Sequence, residues 1–124
     1  MKTDITNRTD IEKLINAFYP KAITDVLIGH FFTTVMKIDW EKHIPIMCTF
    51  WENTLFYSGG YTGDMMGLHK AVHQKSAMKP EHFERWTLLF CQTVDELFEG
   101  ESAERAKQRA LGMATMLQIK IPVE

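Results

Sequence analysis

At 124 residues the chain fits one domain, long enough to bury about two-thirds of the surface its unfolded form would expose without a disulfide or metal staple. Its 14 basic and 16 acidic residues leave a net charge of −2, so there is no cationic excess for nucleic-acid phosphates or anionic lipid to attract. The only two cysteines, Cys48 and Cys91, lie far apart in apolar helical patterns and read as reduced thiols, and with neither a signal-peptide run nor a membrane-length apolar segment the expected setting is cytoplasmic.

Strand signals are scarce and no repeat or linker divides the sequence, so the pattern predicts a single all-α domain over 1–124. Thr9 and Asp10 are N-cap candidates for a first helix with the apolar stripe Ile11, Leu14, Ile15 and Phe18. Pro20 lacks a backbone donor, which predicts a kink there or an end between Tyr19 and Val26. Residues 27–32 read as a turn, and a connector through Lys37 and Asp39 leads to a second long helix over 40–57, with Pro45 expected in its first turn. The glycines of Ser58-Gly59-Gly60-Tyr61-Thr62-Gly63 mark a loop, and 65–72 form a short helix carrying His69. Pro80 or Glu81 opens a third long helix whose stripe is Phe83, Trp86, Phe90, Val94, Leu97 and Phe98, ended by Gly100. Ser102 is the expected cap of a fourth, on which Ala103, Ala106, Ala110, Met113 and Leu117 form a narrow stripe that permits close helix approach. Two antiparallel pairs of long helices with one short helix crossing between them is the inferred architecture. The 8 Phe, 8 Met and 3 Trp suit either a large apolar pocket or an irregular helical core.

Five segments occur in a telling order: Phe18-Tyr19, Gly29-His30-Phe31-Phe32, Trp40-Glu41-Lys42-His43 leading to Phe50-Trp51, Tyr61-Thr62-Gly63 before Met66-Gly67-Leu68-His69, and His82-Phe83-Glu84-Arg85-Trp86. In that order they resemble the truncated haemoglobins of the third group, whose fold is a two-over-two helical abbreviation of the globin. The resemblance covers nearly the whole chain. It implies a haem b cofactor with His69 as the proximal iron ligand, Phe32 packed on the porphyrin with Phe31 as the alternative, and Tyr19, His43 and Trp86 at the distal positions. A neutral imidazole is a good iron ligand, and a phenol, an indole or an imidazole can each donate a hydrogen bond to a bound gas. Met47, four residues after His43 on the same helix face, would add apolar wall. No Cys-x-x-Cys-His occurs, which argues against covalent haem attachment. His30, His73 and His82 read as surface groups. The family pattern of a proline followed by an apolar residue is replaced here by Met65-Met66, and the residues that hold the haem propionates are not assigned.

The function implied by the resemblance is reversible binding of oxygen, carbon monoxide and nitric oxide, and a monomer is the default expectation. Two alternatives stay open. One is a haem enzyme of nitric oxide or peroxide detoxification, which would need a separate reductase because the chain has no flavin or nicotinamide motif. The other is a haem-free helical interaction module whose aromatic residues are only core.

Overall fold

A computed structural model describes residues 2–36, 38–57 and 65–120, without the side chains of 65–68 and 120. The helices are α1 (Arg8–Thr24), α2 (Trp40–Phe56), α3 (Met65–Lys75), α4 (Pro80–Leu97) and α5 (Glu101–Lys120), with a π-helical turn at Phe31–Val35 between α1 and α2. The α1–α2 pair lies across the α4–α5 pair, α1 packing on α4 and α2 on α5, while α3 packs on the π turn. This is the predicted two-over-two arrangement. The predicted loop over 58–63, with its Tyr61-Thr62-Gly63 motif, falls outside the described residues. No helix among the described residues is long and apolar enough to cross a membrane.

The cap of α1 is Asn7 rather than Thr9 or Asp10: the Asn7 side chain accepts from the Asp10 amide at 3.0 Å. Asp10 instead accepts from the Thr6 amide and hydroxyl at 2.9 and 3.0 Å. The helix continues through Pro20 to Thr24, because Ile11, Leu14, Ile15, Phe18, Tyr19 and Ala22 are all buried on one stripe and that packing outweighs one absent backbone bond. Pro45 also sits deeper than predicted. With α2 starting at Trp40, it falls in the second turn, where its carbonyl accepts from Arg8 Nη2 at 3.2 Å.

The centre of the molecule is an aromatic stack. Trp51 and Phe90 lie 4.7 Å apart at 17°, Phe90 and Trp86 5.3 Å apart at 8°, and Phe18 meets Phe90 and Trp86 edge-on at 5.4 and 5.7 Å. Each such contact contributes about 0.5–1.5 kcal/mol beyond area burial, so α1, α2 and α4 are locked through one cluster. On α5 the buried residues are Ala103, Ala106, Ala110, Ala114 and Leu117, with Ala114 taking the place predicted for Met113. Cys48 is buried and Cys91 half-buried, and neither is in a disulfide.

The corner between α4 and α5 is closed by the N-terminal arm. Thr3 pairs with Phe98 in an isolated bridge, and the Asp4 carboxylate accepts from the Ser102 and Ala103 amides at 2.9 and 2.8 Å. Asp4 therefore caps α5 from across the chain, the role predicted for Ser102. Gly100, at φ +144°, is required here, since a Cβ would run into the Asp4 carboxyl group.

Candidate functional site

A cavity of about 200 Å³ opens between α3 and the two helix pairs. Roughly 10–15 Å³ on this measure holds one water, so the space suits a large organic group. Its lining is overwhelmingly apolar, with Met36, Met47, Met78 and Met113 among the walls together with Phe18, Phe50 and Phe83. Tyr19, Phe32, His43, Met47, His69 and Trp86 all line it. Residues from α1, the π turn, α2, α3 and α4 thus meet at one place.

The polar end of the cavity is built around Tyr19. The residue is 8% exposed, and its ring sits among Phe18, Phe32, Trp40 and His43 at centroid distances of 5.2, 5.9, 5.0 and 5.5 Å. The Tyr19 hydroxyl oxygen is 3.2 Å from His43 Nε2. Burial, reinforced by the neighbouring Cys48, pushes the Tyr19 phenol well above its ordinary range, which keeps it a protonated donor. Burial also pushes the half-buried His43 imidazole down from its ordinary value, favouring the neutral ring. A neutral His43 can accept the Tyr19 proton at Nε2 or, as the other tautomer, donate to the phenol oxygen and free that proton for the cavity.

The π turn brings Phe31 and Phe32 into the wall. Its approach is fixed by Asp25, whose Oδ2 accepts from the Leu27 and Ile28 amides at 3.0 and 3.1 Å. Arg85 Nε of α4 lies 3.0 Å from Asp25 Oδ1, an ion pair by distance although the N–H is not aimed along it. Gly29 is buried against α1, and a Cβ there would collide with the Ile23 carbonyl oxygen. A Met36 amide bond to the Phe31 carbonyl at 3.0 Å then closes the wide turn.

No family model matches the chain. It is 27% identical over 121 residues to a protein of Campylobacter jejuni described as Group 3 truncated hemoglobin ctb, an alignment covering 95% of this chain and 93% of the relative. The crystal structure of a group III truncated hemoglobin from Campylobacter jejuni matches with a TM-score of 0.85 at 27% identity, over 98% of this chain and 96% of that one. The chain has the truncated-haemoglobin fold and resembles the third group.

Within this truncated-globin frame the structure corrects two readings of the sequence. His82 is not only a surface group: it lines the cavity, 4.9 Å from the Phe31 ring and 6.0 Å from that of His30. Its Nδ1 accepts from the Lys79 amide at 2.9 Å, and burial holds its pKa below the ordinary value, so the neutral ring carries its hydrogen on Nε2. The spacing held a signal for this, since His82, Trp86 and Phe90 stand four apart on one face of α4. Phe31 is likewise a second wall beside Phe32 rather than its substitute: Phe31 meets His82, whereas Phe32 lies 5.9 Å from Tyr19 and 6.2 Å from Trp40. The other two histidines differ from one another. His30 is exposed, and half-buried His73 accepts from the Met78 amide at 3.0 Å through Nδ1, pinning the connector between α3 and α4.

Proposed function

We propose that this chain is a haem b protein that reversibly binds oxygen, carbon monoxide and nitric oxide, with His69 as the protein ligand to iron. The observation that carries the reading is the convergence of six side chains, from five separate segments, on one apolar cavity. The donor set fits the group. Apolar walls suit a porphyrin, one imidazole from α3 suits its iron, and the polar atoms of Tyr19, His43 and Trp86 suit a polar gas ligand.

Haem, when bound, would supply an iron able to bind a diatomic gas. The chain's own residues would do the rest. His69 would hold the iron, while Phe31, Phe32, Val72 and Met47 would pack on the macrocycle and keep water out. Tyr19 and the Trp86 indole would donate into the cavity. Each such bond contributes on the order of 1 kcal/mol and is stronger in a dry site than in a wet one. His43 would set the direction of the Tyr19 proton by its choice of tautomer, and so decide whether that donor faces the gas or the helix. Titrating the haem-free chain with haemin tests the reading. A saturable Soret band at one haem per chain, shifted by carbon monoxide after reduction, is expected; no band would leave only a haem-free helical module, and a band that carbon monoxide does not shift would remove gas binding.

A further inference from the structure

We infer that the exposed lysines of α3 and its connector form a docking collar for an acidic one-electron carrier protein; this deepens the haem reading and rests on it. Between Met65 and Pro80 the sequence holds Lys70, Lys75 and Lys79 and no Asp or Glu, in a chain whose net charge is −2. All three lysines are exposed.

Five cations elsewhere are paired, whereas Lys2, Lys13, Lys42 and Arg109 are spread singly along the chain. Arg8 pairs with Glu52, Lys21 with Glu96, Arg85 with Asp25, Arg105 with Glu101, and Lys107 with Asp95 and Glu104. None of the collar lysines has an ion-pair partner among the described residues. The collar also adjoins the cavity. His69 and Val72 of α3, Met78 of the connector and His82 of α4 all line it, and the Lys79 charge is felt at the His82 ring. Asp64 and Glu81 flank the stretch in sequence, and Glu81 is exposed at the start of α4.

An unneutralised cationic rim beside a redox-active group attracts and orients a protein of opposite charge, and such steering raises association rates by about 10–1,000-fold. In each encounter one electron would leave the reduced carrier and convert ferric to ferrous iron, with no bond made or broken. These 124 residues hold no flavin or nicotinamide motif, which fits a separate donor.

The test uses an acidic plant-type [2Fe–2S] ferredoxin as the probe, with a basic c-type cytochrome as the control. Binding is followed by calorimetry on haem-loaded and haem-free chain at about 10 mM and roughly 300 mM salt. Wild type should bind the ferredoxin at least about tenfold more weakly at the higher salt and ignore the cytochrome. The Lys75→Glu/Lys79→Glu variant should lose much of the low-salt affinity, and the triple variant with Lys70→Glu about tenfold or more. Haemin affinity and the Soret band should not change in either. Equal ferredoxin binding by wild type and triple variant would overturn the proposal, as would haem loss in the variants, which would assign the lysines to the haem carboxylates. If the chain takes up no haem at all, the haem reading fails visibly in the spectrum, while calorimetry on the haem-free chain still reads the collar.

Discussion

Replacing Tyr19 by phenylalanine removes one hydroxyl and leaves the ring contacts with Phe18, Phe32, Trp40 and His43 in place. The hydroxyl is in a nearly closed site, 8% exposed at the residue level, and its partner is His43 Nε2 at 3.2 Å. Two terms decide the effect. Loss of a donor to bound oxygen costs about 1–2 kcal/mol in a dry pocket, which is about 5- to 30-fold in the rate of oxygen release. The second is the state of His43: with its hydrogen on Nε2 it donates to the phenol oxygen and leaves the Tyr19 proton free for the gas, so the full cost applies. Stopped-flow oxygen release from reduced, haem-loaded Tyr19→Phe should therefore be about 5-fold faster than wild type or more. In a double-mutant cycle with His43→Leu the coupling should be about 1 kcal/mol. A release rate within about twofold of wild type, or a cycle with no coupling, would refute the donor pair. Thermal unfolding guards against a trivial cause: a lost hydrogen bond of about 1 kcal/mol lowers the midpoint by about 4 °C at this size, and a much larger drop would mean that the pocket itself had changed.

Asp4→Ala should uncap α5 and cost about 1–2 kcal/mol, lowering the unfolding midpoint by roughly 4–8 °C at neutral pH by circular dichroism. Burial raises the Asp4 pKa, but the amides of Ser102, Ala103 and Ile5 outweigh it and hold the carboxyl below its ordinary range. This stabilisation is thus present above the unfolded carboxylate value and is lost as pH falls through the lower folded one; a gap between wild type and variant that fails to narrow in acid would contradict the capping role. His43 predicts a separate dependence near neutrality. Because its folded pKa is depressed below 6.5, its contribution is complete above that value and lost as pH falls toward the folded pKa, so wild type should lose more thermal stability than His43→Gln between about pH 6.5 and 5. Parallel curves for the two proteins would remove His43 as the source.

What the sequence could and could not disclose follows from range. Periodicity is a local signal, and it placed the long helices because Phe83, Phe90 and Val94, or Ile11, Leu14 and Phe18, repeat at helical steps whatever their partners. Capping of α5 by Asp4 crosses nearly the whole chain, so no local pattern near Ser102 could announce it. Pro20 reads locally as a breaker and Pro45 as a first-turn residue, whereas in the fold Pro20 is carried by a buried stripe and Pro45 falls in the second turn of a helix that starts at Trp40 as predicted. The candidate pocket residues were legible through the ordered motifs of the family resemblance, and the fold gathers them at one cavity. His82 was missed because a histidine at a helix start also reads as solvated; only the facing Phe31 and the Lys79 amide turn it inward. The Asp25–Arg85 contact that steadies the turn before Phe31 joins two elements far apart in sequence and left no spacing to read.

The central claim is that His69 holds the iron of a haem in this cavity. Its most direct measurement is the absorption spectrum of reduced, haem-reconstituted His69→Gly with and without added imidazole. The variant should lose the histidine-ligated ferrous spectrum and regain it when imidazole fills the vacated space; a variant spectrum identical to wild type without imidazole would contradict His69 as the ligand.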